Sequence, residues 1–152
     1  MKQHLLKSAM ALLLCSALFS FTRVGGDSYT IHLNGKQIIQ HYVFSKNELP
    51  RLTLTATSSR DQLTVFYSEC GKIGKSRRLS ITDEHGAVLK EWRFADVTDD
   101  HVPMACSVND ILNLKKPGVN AMKFVYTSRD ISRGQVLATV LVAPAVSTVR
   151  NQ

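Results

Sequence analysis

The stretch from Gln62 to Gly71, QLTVFYSECG, restricts the fold of this chain more than any other. Leu63, Val65 and Tyr67 fall on one side of an extended backbone, and Thr64, Phe66, Ser68 and Cys70 fall on the other. β-Branched and aromatic residues dominate, as a pleated, half-buried surface requires. A strand of this kind is stable only with strands on its flanks and a second layer over its apolar side. The remaining sequence must supply those neighbours.

They are easily found. Ser28 to Phe44 reads as a β-hairpin around Asn34-Gly35, because a type I′ turn needs two positive φ angles that Asn and Gly accept cheaply. Its two-residue loop sets Leu33 opposite Lys36, Ile31 opposite Ile38 and Tyr29 opposite Gln40. The expected core face then holds Tyr29, Ile31, Leu33, Ile38, Tyr42 and Phe44. Arg51 to Thr57 alternates with Leu52, Leu54 and Ala56 inward. Arg78 to Phe94 reads as a second hairpin turning at Asp83 to Gly86. With Thr82 opposite Ala87, Leu79, Ile81, Val88, Trp92 and Phe94 share a buried face, and Lys90 is the misfit. Lys123 to Thr127 and Gln135 to Val142 form a last pair. VLATVLV at Val136 to Val142 is apolar on both sides, which suits a strand covered on both faces or a partner surface at Leu137 and Leu141.

One helix is expected. Ser107 can cap VNDILNLKK, Asp110 sits in its first turn, and Lys115 and Lys116 complement its end before Pro117-Gly118. Eight strands and one short helix predict an all-β fold, an antiparallel β-sandwich of immunoglobulin-like type, with a small antiparallel barrel as the alternative. At 152 residues there is room for one core. The division is an export signal and spacer over 1–26, one sandwich domain over 27–143, and a tail over 144–152.

The first segment carries Lys2 and Lys7 ahead of an apolar run from Ala9 to Phe19, the pattern of a cleavable leader that directs export to the periplasm or beyond. The run is too short for a membrane span of about 20 residues, so no transmembrane segment is expected in the mature chain. Cys15 has Leu14 before it, where lipid anchoring needs a small residue, and is assigned to the leader. Cys70 and Cys106 then remain as an even pair in an exported chain, and a disulfide between them is the simplest expectation.

Charge and motifs narrow the function without naming it. The net charge is +7, and it falls to about +5 once Lys2 and Lys7 leave with the leader. That balance suits an anionic polymer at the cell surface or a protein partner, and Lys72, Lys75, Arg77 and Arg78 concentrate it in one basic patch. No aromatic residues interleave with these charges, so sequence-specific nucleic-acid binding is not expected. Glu69 to Ser76, ECGKIGKS, imitates a phosphate-binding loop, but Glu69 stands where that motif needs its first glycine and a strand comes next where it needs a helix. Asp96, Asp99, Asp100 and His101 form the densest acidic cluster, without the spacing of a calcium loop. His32, His41 and His85 are scattered, so neither a metal nor another cofactor is expected.

The leading expectation is an exported, non-catalytic binding or scaffolding domain. The alternatives are a hydrolase using carboxylates of the Asp96 to His101 loop, which would stand about 5 to 9 Å apart in a cleft, and a small inhibitor with a disulfide-braced loop.

Overall fold

The Asn34-Gly35 turn forms as the sequence requires, with φ of 51° and 80°, and it joins β1 (Ser28–Leu33) to β2 (Lys36–Tyr42). The computed structural model describes residues 26–99, 102–115 and 121–143. The leader with Cys15, the tail from residue 144, Asp100, His101 and the Lys116 to Gly118 stop signal lie outside the described residues. The chain continues through β3 (Arg51–Thr55), β4 (Gln62–Ser68), β5 (Arg78–Thr82), β6 (Val88–Arg93), β7 (Met104–Ser107), the helix α1 (Val108–Leu112), β8 (Met122–Thr127) and β9 (Gln135–Ala143).

Two sheets result, in the orders β2-β1-β4-β7 and β3-β9-β8-β5-β6. Both keep open edges, so the fold is a sandwich and not the alternative barrel. β4 lies inside the first sheet, between β1 and β7, with Leu63, Val65 and Tyr67 buried as its alternation demands. The pairing of β4 with β7 in one sheet and the order β5-β8-β9 in the other reproduce the B-E and C-F-G core of immunoglobulin-type sandwiches. β3 departs from the all-antiparallel expectation, because it runs parallel to β9, from Arg51 beside Thr139 to Thr55 beside Ala143.

The ninth strand is β7, a stretch whose four residues are too few to display a period. Its inward residues Met104 and Cys106 lie opposite Val65 and Leu63. α1 comes at once after it and buries Val108 and Ile111. Ser107 occupies the cap position with extended backbone but makes no side-chain cap bond; the Val108 N–H donates instead to the Asp61 carbonyl at 3.0 Å.

Three β-bulges set the observed registers, and two of them correct the registers expected for the hairpins. In the first hairpin the shift between Ile31 and His32 makes Ile38 the extra residue, so Ile31 faces Ile39 and Tyr29 faces His41. Ile38, Tyr42 and Phe44 therefore leave the core, at 40%, 60% and 78% exposure. In the second hairpin Thr82 faces Val88 and Ile81 faces Lys90, with Leu89 bulged between. Leu79 and Ile81 are buried as expected, but the bulge turns Val88 to the exposed outer side, opposite Thr82, and Trp92 is only half-buried on the edge strand β6. Lys90 points inward at that edge, its ammonium 3.7 Å from the Asp110 carboxylate and 5.9 Å from the Trp92 ring centre. An inward charge beside a bulge discourages another strand from adding there. The third bulge, opposite Phe124 and Val125, turns both Leu137 and Ala138 into the core. Leu137 is thus packing and not partner surface. Ala56, expected inward, starts an exposed 3-10 turn (Ala56–Ser58).

Candidate functional site

At one end of the sandwich, aromatic rings bridge the two sheets. His41, Tyr29 and Tyr67 succeed one another across β2, β1 and β4, and Tyr67 stacks on Tyr126 of β8 with ring centres 4.1 Å apart. Each buried hydroxyl has an acceptor, as it must away from water. Tyr29 donates to the Leu137 carbonyl at 2.6 Å, Tyr67 to the Asp27 carboxylate at 3.0 Å and Tyr126 to the Glu69 carboxyl at 2.8 Å. Burial raises all three phenols above their ordinary range, with hydrogen bonds to Asp27 and Glu69 adding to it for Tyr67 and Tyr126; Tyr29 is pushed up to about 12. Gly74 closes this network, because a Cβ there would overlap the Glu69 carboxyl and the Tyr126 hydroxyl. The cluster is filled and satisfied. It is cohesion rather than a reaction centre.

The expected disulfide is absent: Cys70 and Cys106 are free thiols, the first exposed and the second buried. Cys106 pairs with Leu63 at the start of β4, and Cys70 lies seven residues farther along the same strand direction. At about 3.3 Å per residue they stand roughly 20 Å apart, against a Cα limit near 7 Å for a bridge. Cys70 instead forms a tight turn with Gly71, at φ of 50° and 81°, closed by reciprocal bonds between Glu69 and Lys72. Its backbone N–H and its thiol both donate to one Asp27 oxygen, at 3.0 and 3.2 Å. The hydrogen bond to Asp27 holds that thiol proton above the ordinary range, and burial pushes Cys106 up to about 12. Alkylation of the native protein at neutral pH is therefore expected to leave Cys106 untouched until denaturant is added. Peptide mapping that finds Cys106 labelled as fast as an unfolded control rejects its placement opposite Leu63.

The basic patch divides. Lys72 and Lys75 are exposed on the loop, and Arg78 is exposed at the start of β5. Arg77 is only 5% exposed and turns inward, donating to the carbonyls of Val102 and Ala95 at 3.3 and 3.2 Å. The acidic cluster meets this same loop. The Asp96 carboxylate accepts the Ser76 N–H at 2.7 Å, and the Lys75 ammonium reaches the Val97 carbonyl at 3.5 Å. The two sequence candidates thus hold each other in place, and Asp96 is occupied with backbone. The phosphate-loop imitation ends in strand β5. His32 and His41 lie on opposite faces of the first sheet, and no group of three or more metal-ligating side chains converges among the described residues.

The registers add a contrast between the two outer faces. On the five-stranded sheet Arg78 stands directly opposite Arg93, and Thr82, Lys123, Thr139 and Arg51 form a parallel row. Glu91 answers both arginines, at 3.8 and 2.7 Å. On the four-stranded sheet the outer rows are Tyr42-Ser28-Ser68, Gln40-Thr30-Phe66 and Gln37-His32-Thr64-Ala105, without one Asp, Glu, Lys or Arg. One-residue alternation from Leu63 predicts which side chains face out, but which of them become neighbours depends on strand order. No family model, curated protein or solved structure matches the chain.

Proposed function

We propose that the protein is an exported, non-catalytic binding domain that holds an anionic polymer of the cell envelope against the outer face of its five-stranded sheet. The observation that carries this reading is Arg78 directly opposite Arg93 on an exposed surface. Like charges across a strand pair destabilise a sheet. Glu91 offsets one of the two, and the flanking Arg51 and Lys123 leave the face net positive. Arginine forks on a flat sheet suit repeated phosphate, sulfate or carboxylate groups. Export rests on the leader pattern of Lys2, Lys7 and the apolar run to Phe19. No helix among the described residues is long and apolar enough to cross a membrane.

Dextran sulfate and uncharged dextran make the test. The sulfated polymer is expected to bind in low salt and to be released as the Debye length shrinks from about 10 Å toward 3 Å. The Arg78→Ser, Arg93→Ser double variant should weaken it by about tenfold or more. Equal binding of both dextrans, or an unchanged affinity in the double variant, rejects the reading.

A further inference from the structure

We infer that the outer face of the four-stranded sheet is a second binding surface, fitted to a neutral, hydroxyl-rich glycan strand. Surfaces of soluble domains carry charged side chains at about a quarter to a third of their positions, and the three rows across this face carry none. The protein is otherwise well charged, with 19 basic and 12 acidic residues. The gap is therefore confined to one face, and the side chains that fill it are specific. Gln37, Gln40 and Tyr42 form a hydrogen-bonded ladder, with amide to amide at 3.2 Å and amide to phenol at 3.4 Å. Amides and hydroxyls both donate and accept, which is the pattern a sugar hydroxyl presents in return.

Beside the ladder, a shallow depression of about 240 Å³ lies between Ser28, Thr30, Gln40, Phe66 and Ser68. It is smaller than pockets of about 300 Å³ and more that enclose whole small molecules, so it suits one ring of a longer chain. The Phe66 ring is half-buried in the sheet and braced by the edge of His32, with ring centres 5.2 Å apart. It offers a fixed apolar platform for the C–H face of a pyranose, and Tyr42, 60% exposed, offers a second at the next row. Such a face desolvates no charge when it binds a neutral strand, whereas an anionic strand would find no counter-charge on it. A protein partner would favour an apolar centre and a polar rim. Here the exposed apolar side chains Ile38 and Phe44 belong to the β2 edge and the loop after it, beside the face rather than at its centre.

The experiment uses the purified full chain against cellulose, xylan, mannan and chitin in about 0.5 M salt, which screens the arginine face. At least one of the four should retain the protein, with affinity changing less than about twofold between low and high salt. Tyr42→Ala and Gln40→Ala, both at exposed positions, should each weaken retention by about fivefold or more. Phe66→Ala should do so more strongly, with its folding checked by circular dichroism. The Arg78→Ser, Arg93→Ser variant should be retained like the parent, so loss of the anionic site and loss of this one are told apart. Retention of none of the four neutral polysaccharides overturns the inference, as does equal retention of the Tyr42 and Gln40 variants. A concentration-dependent dimer in sedimentation that Tyr42→Ala abolishes also overturns it, and assigns the face to self-association.

Discussion

Replacing Tyr126 with alanine is expected to lower the unfolding free energy by about 4 to 6 kcal/mol. Tyr126 is the bulkiest fully buried side chain among the described residues, and from its place in β8 it stacks on Tyr67 of the other sheet. Removing its ring leaves a cavity against Tyr67, a loss of about 3 to 5 kcal/mol for an aromatic residue in a core. Removing its hydroxyl strands the Glu69 carboxyl, itself buried, without the donor at 2.8 Å. Phenylalanine at the same position separates the two effects, since it keeps the ring and should cost only about 1.5 to 3 kcal/mol. Gly74→Ala should act on the same network from outside, by forcing the hydroxyl and the carboxyl apart, at about 1 to 3 kcal/mol. In a double-mutant cycle, Tyr126→Phe and Glu69→Gln should couple by more than about 0.5 kcal/mol. Urea denaturation measures the four single variants and the double variant. A Tyr126→Ala loss below about 2 kcal/mol, or additive Tyr126 and Glu69 variants, contradicts the bridged arrangement.

How far the fold is legible in the sequence depends on how local its cause is. Asn34-Gly35 and Asp83 to Gly86 turn where their residues say, because the preference is held within four residues; in the second, the Asp83 carboxylate accepts the N–H groups of His85 and Ala87. Leu63, Val65 and Tyr67 face the core because alternation decides it. The bulges at Ile38, Leu89 and Leu137 are not local in this sense. Each inserts one residue that the partner strand does not match and so inverts the alternation across it, and Tyr42, after the first bulge, and Val88, before the second, come out exposed against their apolar character. Met104 to Ser107 is a strand only because β4 offers an edge to it. The pairing of Cys70 with Cys106 fails for a related reason. Cysteine parity carries no distance, and the distance is set by the register of β7 on β4. The exposure of Lys72, Lys75 and Arg78 follows from their charge, while the crossover carbonyls that draw Arg77 inward lie 18 and 25 residues away. Both proposed faces rest on strand order, which no stretch of the sequence contains.

Stability is expected to stay level through neutral pH and to fall steeply above about pH 9, so that the protein unfolds in alkali. The cause is a set of buried acids that the fold keeps neutral. Burial pushes the Cys106 thiol from its ordinary 9.0 up to about 12, with the nearby Asp110 charge adding to it. Tyr29, Tyr67 and Tyr126 are raised in the same direction, each first by burial. For a group whose folded value lies above its unfolded value, the unfolded chain loses its proton first as pH rises. The stabilisation is therefore complete below the unfolded value and disappears as pH climbs through the folded one. At pH 11, about two units above the unfolded thiol, Cys106 alone accounts for roughly 2 to 3 kcal/mol. The tyrosines begin to add to the slope from about pH 10, and the combined loss approaches the whole stability of about 5 to 15 kcal/mol of a typical domain. Replacing Cys106 with valine or alanine removes the thiol's share, so the decline of that variant should begin about one pH unit later, at the onset set by the tyrosines. Thermal melts from pH 7 to 11, with tyrosinate absorbance recorded alongside, should show phenol ionisation coinciding with unfolding. Phenolate signal from all of the described tyrosines below pH 10.5 with the fold intact contradicts the buried stack.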